Sequence, residues 1–304
     1  MPRRLYPCTP TRLTTWLDCP RRYRFAYLDR PAPVKGPPRA RTTMGIAAHT
    51  ALAAWWSLPP GRRTPVAGRD LVLGRWTPGR FAEGGFRDPA MSVRAADRVA
   101  GWVERYLGDV DPEREPVGVE RTVAVPTATL ALSGRVDRID ARDVTTRSSS
   151  GGGASRTGRV DRIDARDVTT PAERELVVVD YKTGRRPPEP GEVRSNLALA
   201  VYAVAVARTL RRPCTRVELH HLPTGTVAAA DHDAASLARK VAEAESVAAD
   251  ARAADEAFAA GRRDDDAFGP TPSALCSWCD WRRHCPEGRV AAPEVEPWAG
   301  ADLG

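Results

Sequence analysis

The sequence predicts an α/β fold built around a buried central strand. Helical patterns occupy both ends of the 304-residue chain, whereas strand patterns are concentrated in its middle. The apolar run ELVVVDY at 175–181 is short and ends in a charged pair, which is typical of a strand buried on both faces. Because 42% of the residues are apolar, the chain can bury a sizeable core.

The other elements follow from the spacing of apolar residues. Leu13, Trp16 and Leu17 recur at helical intervals, with Thr11 or Thr14 as the candidate helix cap. Runs rich in β-branched residues between turn signals predict strands. These patterns predict helices over 10–28, 43–56, 92–107, 196–210 and 234–260, and strands over 117–125, 129–139, 175–181, 215–222 and 226–229.

The chain is basic, with a formal net charge of +7 and a sequence pI of about 9.4. This charge favours a polyanionic partner such as nucleic acid, although an arginine-rich composition alone produces a similar value. No apolar run is long enough to span a bilayer, and the N-terminal MPRRLYPCTP lacks the hydrophobic segment of a secretory signal. We therefore expect a cytoplasmic protein with no membrane partner.

An internal repeat interrupts the strand region. GRVDRIDARDVTT occurs without change at Gly134–Thr146 and at Gly158–Thr170, and the copies are separated by the linker-like RSSSGGGASRT. The repeat is too short for a solenoid. One copy should serve as a strand, and the other, with the linker, should form a surface insertion at about 147–170.

The central strand ends in a candidate catalytic pair, Asp180 and Lys182. Residues i and i+2 of a strand face the same side, so the two side chains should project together. The carboxylate can hold Mg²⁺, and the ammonium can orient a water or stabilise charge on a phosphate. Taken alone, the pair also fits an ordinary ion pair at a strand end.

Two further residues could complete a metal site. Asp137, repeated as Asp161 in the second copy, lies on a strand that could meet Asp180 in the sheet. Converging carboxylates repel unless a cation lies between them. His49 lies on a helix of small residues and could supply a neutral imidazole ligand. Taken alone, each residue more often has a structural role, as a core or surface histidine or as a solvated charge in a hairpin.

The cysteines predict a second metal or cluster site. Three of them are spaced C-x2-C-x5-C, namely Cys276, Cys279 and Cys285. The thiolates of a CxxC pair converge on one ion or cluster. The fourth ligand is either Cys19, at the other end of the chain, or His284, which would favour zinc. Cys8 and Cys214 have no other cysteine at a comparable spacing, so we expect them not to bind a metal or cluster.

Taken together, these residues resemble the RecB-like nucleases of the PD-(D/E)XK superfamily. They are most similar to the stand-alone iron–sulfur branch, which includes CRISPR-associated adaptation nucleases and the AddB nuclease domain. The motifs occur in the family's order: LTTWLDCPRRYRFAYL, GIAAHTAL, GRVDRID, VVVDYKTGR and CSWCDWRRHC. The resemblance implies a restriction-endonuclease-like core, in which a central mixed sheet is flanked by helices, and an iron–sulfur clasp that joins the N- and C-terminal segments.

The resemblance also implies roles for individual residues. One or two Mg²⁺ or Mn²⁺ ions would be bound by His49, Asp137, Asp180 and the backbone carbonyl of Tyr181, with Lys182 positioning the attacking water. Asp161 is the alternative to Asp137, which we favour because its upstream strand is intact. A [4Fe-4S] cluster would be bound by four cysteines: Cys19, Cys276, Cys279 and Cys285.

The implied activity is exonucleolytic hydrolysis of phosphodiester bonds at single-stranded DNA ends, in DNA repair or recombination. Arg21, Arg22 and Arg24 could line the DNA path or form a solvated basic helix. The sequence has no P-loop, so any unwinding would come from a helicase or repair partner. We expect one nuclease domain over 1–290, with the cluster-binding segment at 270–288 and a flexible tail at 291–304.

One departure from the family pattern supports a different function. Ala198 occupies the position of the glutamine in the family's Gln-x-x-x-Tyr motif, although Tyr202 is present and Asn196 lies nearby out of register. The alternative is therefore a non-catalytic DNA-binding or scaffold protein with a degenerate nuclease core. A zinc-stabilised module is a third possibility.

Overall fold

A computed structural model describes residues 4–143 and 174–301 of the protein. The strands in these ranges are β1 (Tyr6–Cys8), β2 (Gly118–Pro126), β3 (Leu130–Asp143), β4 (Arg174–Lys182), β5 (Cys214–His221) and β6 (Thr226–Asp231). The helices are α1 (Pro10–Asp18), α2 (Pro20–Tyr27), α3 (Ala40–Trp56), α4 (Pro65–Leu73), α5 (Pro89–Gly108), α6 (Pro190–Ser195), α7 (Leu197–Leu210), α8 (Ala234–Ala259), α9 (Asp265–Phe268) and α10 (Pro286–Ala291).

The strands form one mixed sheet organised around the long strand β3. β2 pairs with β3 antiparallel, β1 pairs with it in parallel near Leu130, and β4 pairs with its second half antiparallel. β5 then lies parallel to β4, and β6 is antiparallel to β5. This confirms the expected mixed sheet and places the ELVVVDY strand, β4, in its interior.

Helices cover both faces of the sheet. Leu176 and Val178 of β4 point into a core shared with α1, α7 and α8, whereas Val177 and Val179 point into a core shared with α3 and α5. Alternate side chains are therefore buried on opposite faces, which is why β4 reads as continuous apolar sequence. The duplicated motif enters this sheet through its first copy, because Gly134–Asp143 forms the second part of β3.

The predicted helix over 10–28 is instead two helices that are broken at Cys19. Cys19 has an extended backbone (φ −172°, ψ 115°), because a residue before proline is disfavoured in the helical region and Pro20 follows it. Thr9, rather than Thr11 or Thr14, caps α1 by accepting a hydrogen bond from the Arg12 N–H. The break turns the chain at the expected cluster ligand.

The end of the chain also differs from the expected flexible tail. Ala292 and Ala301 are buried, and Trp298 packs against the core on the α3 and α5 side of the sheet. The carbonyl of Pro297 accepts a hydrogen bond from the Ala40 N–H at the start of α3. Contacts with residues distant in sequence hold this segment, so its local composition did not reveal its packing. Residues 302–304 lie outside the described range.

A search of the described helices for a membrane-spanning segment finds none of sufficient length and apolarity.

Deleting residues 147–170 tests whether the second copy is an insertion. The deletion leaves one copy of the motif and six residues between Asp143 and Arg174 instead of 30. A connection of this length is usual between paired strands. Loop-closure entropy predicts that the shorter chain is more stable by about 1.4 kcal/mol. Denaturant unfolding of both proteins measures the difference, and a less stable deletion variant would contradict the prediction.

Candidate active site

The residues expected to bind metal and water meet at the carboxyl end of β4. His49 Nδ1 lies 3.2 Å from Asp137 Oδ2, and His49 Nε2 lies 3.1 Å from the carbonyl oxygen of Tyr181. The Tyr181 N–H donates to Asp137 Oδ2 at 2.9 Å. Lys182 Nζ is 2.5 Å from Asp180 Oδ2. The structure therefore brings together His49, Asp137, Asp180, Tyr181 and Lys182.

Strand pairing explains why the two aspartates meet. β3 and β4 are paired up to Arg138 and Val179, and one step further along the strands are Asp137 and Asp180. Cross-strand neighbours in an antiparallel pair share a face and lie within contact distance. His49 reaches the same point from α3, which packs against the other face of the sheet.

Glu120 is a site residue that the sequence analysis missed. β2 pairs Val119 with Arg138 and Arg121 with Val136, which places Glu120 opposite Asp137. Its φ of 47° is unusual for a residue with a side chain. The hairpin register between β2 and β3 could have revealed it, but that register depends on where the turn at residue 127 begins.

The electrostatics of the site reflect its crowded carboxylates. Burial raises the pKa of Asp180, and the neighbouring Asp137 charge adds to this, beyond what Lys182 offsets. Burial and the Asp137 charge also raise the pKa of Glu120 against the opposing effect of Arg135. Burial alone would raise the pKa of Asp137 as well, but His49 and the Tyr181 N–H lower it.

The histidine shows the complementary effect. Burial works against a charged imidazole, yet the hydrogen bond and charge of Asp137 outweigh it, so the pKa of His49 is raised. The site thus favours positive charge at the position where the carboxylates converge.

The donor set fits a hard divalent cation. Ligand atoms of His49, Glu120 and Asp137 all lie within 4.8 Å of one another, and theirs is the one such group of three within the described residues. Carboxylate oxygens, a carbonyl oxygen and an imidazole nitrogen are ligands that Mg²⁺ or Mn²⁺ accepts. The alternative carboxylate Asp161 lies outside the described residues.

The four expected cluster cysteines line a second cavity, of about 40 Å³. Each sulfur accepts a backbone N–H: the donors are Arg22 and Thr271 for Cys19, Ser273 for Cys276, Trp281 for Cys279, and Gly288 for Cys285. Such hydrogen bonds stabilise thiolates and are one of the means by which proteins tune iron–sulfur clusters.

The spacing of the sulfurs bears on which group this cavity could hold. A tetrahedral zinc with bonds of about 2.3 Å would need its sulfurs roughly 3.8 Å apart. No three cysteine sulfurs of the described chain lie within 4.8 Å of one another. His284, the alternative zinc ligand, instead contacts the Val34 carbonyl oxygen at 2.9 Å and does not line the cavity. Among the described residues, no three sulfurs are therefore as close together as a single tetrahedral zinc requires.

The arginines of α2 have structural partners rather than an open face. Acidic side chains neutralise all three: Arg21 pairs with Asp265 and Glu287, Arg22 with Asp18, and Arg24 with Asp29. These ion pairs give the three arginines a structural role in the described chain, and a role in a DNA path stays a prediction.

The model of the PD-(D/E)XK nuclease superfamily matches residues 7–149 and 150–286. The chain belongs to this superfamily. Its members are typically nucleases that use divalent metal ions, and the mixed sheet flanked by helices fits the superfamily core. The two matched segments meet inside the linker between the motif copies. No curated protein matches the chain.

Helix α7 forms part of the wall of the candidate active site. Tyr202 lines the active-site cavity with His49 and Asp137. Ala198 is half-buried and offers no amide in place of the family's glutamine. Asn196 does not substitute for that amide, because its side chain caps α7 by accepting a hydrogen bond from the Leu199 N–H.

Gly134 allows α7 to approach the sheet closely. A Cβ at Gly134 would lie 2.6 Å from Tyr202 Cε1 and 2.8 Å from its hydroxyl oxygen. We predict that Gly134→Ala, made in the variant lacking residues 147–170 so that one motif copy is present, destabilises the protein by about 1–3 kcal/mol. Denaturant unfolding measures the loss. Adding Tyr202→Ala should recover part of it, and an equal loss with and without Tyr202 would refute the steric explanation.

Proposed function

We propose that the protein is a metal-dependent deoxyribonuclease that acts as an exonuclease on single-stranded DNA ends in repair or recombination. The observation that supports it most is the convergence of His49, Asp137 and Asp180 beside Lys182 in a superfamily of nucleases. The basic charge of +7 is consistent with a DNA substrate. We further propose that a helicase or another repair protein supplies the single strand.

One or two Mg²⁺ or Mn²⁺ ions would be held by side chains at the carboxyl end of β4 and by the Tyr181 carbonyl. A bound divalent cation makes water more acidic and neutralises charge on the phosphate during hydrolysis. The side-chain ligands proposed are His49, Glu120, Asp137 and Asp180, with Asp161 as the alternative to Asp137.

The chain's own residues supply position and charge. Lys182 is 45% exposed, so its ammonium can leave Asp180 and donate to both the attacking water and a phosphate oxygen. His49 and the Tyr181 N–H hold Asp137 in place. The reaction forms a bond between the water oxygen and phosphorus and breaks a phosphorus–oxygen bond of the backbone.

Asp137 is favoured over Asp161 because of the residues that precede each copy. Leu132, two residues before Gly134, is 2% exposed in the core. The corresponding residue before the second copy is Arg156. Placing the second copy in β3 would therefore put an arginine at a buried leucine position, at a cost of several kcal/mol unless it is paired.

We propose that the four cysteines bind a [4Fe-4S] cluster. Their sulfurs are spread around a cavity, and all of them accept N–H hydrogen bonds. A cluster there would join Cys19, between α1 and α2, to the segment that follows Pro270. Such a link closes a very long loop and so removes entropy from the unfolded chain.

The competing proposal is a non-catalytic DNA-binding or scaffold protein. Ala198, in place of the family glutamine, is the observation that favours it. Glu120 and Asp137 nevertheless converge with His49, and the Asp180–Lys182 pair lies on the adjacent strand. The two proposals differ in whether Mn²⁺ or Mg²⁺ triggers degradation of end-labelled single strands.

The duplicated aspartates provide a matched pair of variants. Asp137→Asn should lower Mn²⁺-dependent cleavage by more than about 100-fold, since it removes a metal ligand, whereas Asp161→Asn should leave it nearly unchanged. Lys182→Ala should also abolish cleavage, with Lys240→Ala as the control. Retained activity in Lys182→Ala refutes the assignment, and the opposite result for the aspartates would assign the site to Asp161.

The cluster proposal is tested by metal analysis after anaerobic purification. We expect a brown protein containing iron and acid-labile sulfide, and loss of both in Cys279→Ser. Cys8→Ser and Cys214→Ser should retain them, because these cysteines lie in the apolar core away from the cavity. A colourless protein with stoichiometric zinc would support the zinc-stabilised module instead.

A further inference from the structure

A pair of arginines lies beside the candidate active site. Arg41, Gly45 and His49 follow one another at intervals of four residues on α3, so they share a face of the helix. A Cβ at Gly45 would lie 3.0 Å from Thr183 Oγ1, which brings this face against the chain just after Lys182. The same face therefore extends from the metal ligands towards the start of α3.

Arg185 meets Arg41 at the far end of this face. The two arginines line a small, shallow pocket together with Met44, Trp102, Thr183 and Gly300. Gly300 belongs to the packed C-terminal segment and has a φ of 76°. A Cβ at Gly300 would lie 3.1 Å from Arg41 Cδ, so glycine leaves room for the arginine side chain.

Positive charge at this pocket is not neutralised within the described chain. Neither Arg41 nor Arg185 has a hydrogen bond or an acidic partner among residues 4–143 and 174–301. Burial and the charge of Arg185 both lower the pKa of Arg41. The N-cap of α3 is Arg39, without a side-chain cap, and the first turn has no acidic residue. No carboxylate of the first turn therefore offsets the positive end of the helix dipole, where the Ala40 N–H donates to the Pro297 carbonyl.

Other arginines of this protein do have acidic partners. Most of those on the sheet and α2 face a carboxylate, as shown by Arg21, Arg135, Arg138 and Arg142. Arg41 and Arg185 line the same pocket and repel each other, and an anion bound between them would relieve this repulsion. The planar guanidinium fork matches the oxygens of a phosphate.

We propose that Arg41 and Arg185 form a subsite for a backbone phosphate of the DNA strand. The eight residues from Arg41 to His49 span about 12 Å of helix. Phosphates of a stacked strand repeat about every 3.4 Å of rise, so the bound phosphate lies a few nucleotides from the cleaved bond. This inference rests on the proposed nuclease function and adds a second point at which the strand is held.

The test compares Arg41→Gln/Arg185→Gln with Arg69→Gln/Arg239→Gln. The second pair removes the same charge from exposed positions on α4 and α8. Binding of a fluorescein-labelled oligothymidylate is measured against salt concentration in an Asp180→Asn background, which prevents cleavage. Loss of one phosphate contact should reduce the slope of log affinity against log salt by about 0.7. We expect this reduction in the Arg41/Arg185 variant and not in the control.

Steady-state cleavage and modified DNA complete the test. The Arg41/Arg185 variant should raise KM about tenfold with little change in kcat, and Arg41→Lys/Arg185→Lys should recover part of the loss. A neutral methylphosphonate, moved along the strand, should weaken wild-type binding at one position where it has no effect on the variant. Such non-additivity identifies the contacted phosphate.

The outcomes separate the two proposals. If the wild-type protein cleaves DNA but the Arg41/Arg185 variant behaves like the Arg69/Arg239 control, the subsite is refuted and the nuclease stands. If no DNA is cleaved but binding depends on Arg41 and Arg185 as described, the subsite stands and the nuclease proposal is refuted.

Discussion

The candidate active site depends on the repulsion among three carboxylates held on adjacent strands. Glu120, Asp137 and Asp180 come from β2, β3 and β4, and the pairing of these strands prevents the carboxylates from moving apart. Each carboxylate is paired with a basic side chain: Glu120 with Arg135, Asp137 with His49, and Asp180 with Lys182. A bound cation would relieve the same repulsion and free Lys182 for the substrate.

Tyr181 connects the carboxylates of the candidate active site to the buried core. Its backbone N–H and carbonyl face Asp137 and His49, whereas its side chain is buried on the other face of the sheet. There the phenol accepts hydrogen bonds from Arg138, at 3.0 Å, and from the Trp56 indole N–H. These contacts fix the end of β4, so packing on the opposite face sets the spacing of the side chains that we propose as metal ligands.

Strand periodicity was enough to predict the Asp180–Lys182 pair, because the pair depends on local geometry. Its meeting with His49 was expected only from the family resemblance, since it joins segments that are distant in sequence. Glu120 could not be predicted in this way, since its position opposite Asp137 follows from a hairpin register that a one-residue change in the turn would alter. The packing of Trp298 and the Arg41–Arg185 pocket depend on contacts between distant parts of the chain. Composition in those segments carries no signal of such contacts.

Cys19 shows how one residue can serve several purposes in the fold. The extended backbone that Pro20 imposes on it ends α1, and its sulfur accepts N–H groups from both α2 and the C-terminal segment. That segment is also held by the ion pairs of Arg21 and by the buried Trp281. Its attachment therefore does not depend on the cysteines alone. Loss of a group bound by the cysteines should loosen this end of the protein without unfolding the sheet that carries the carboxylates.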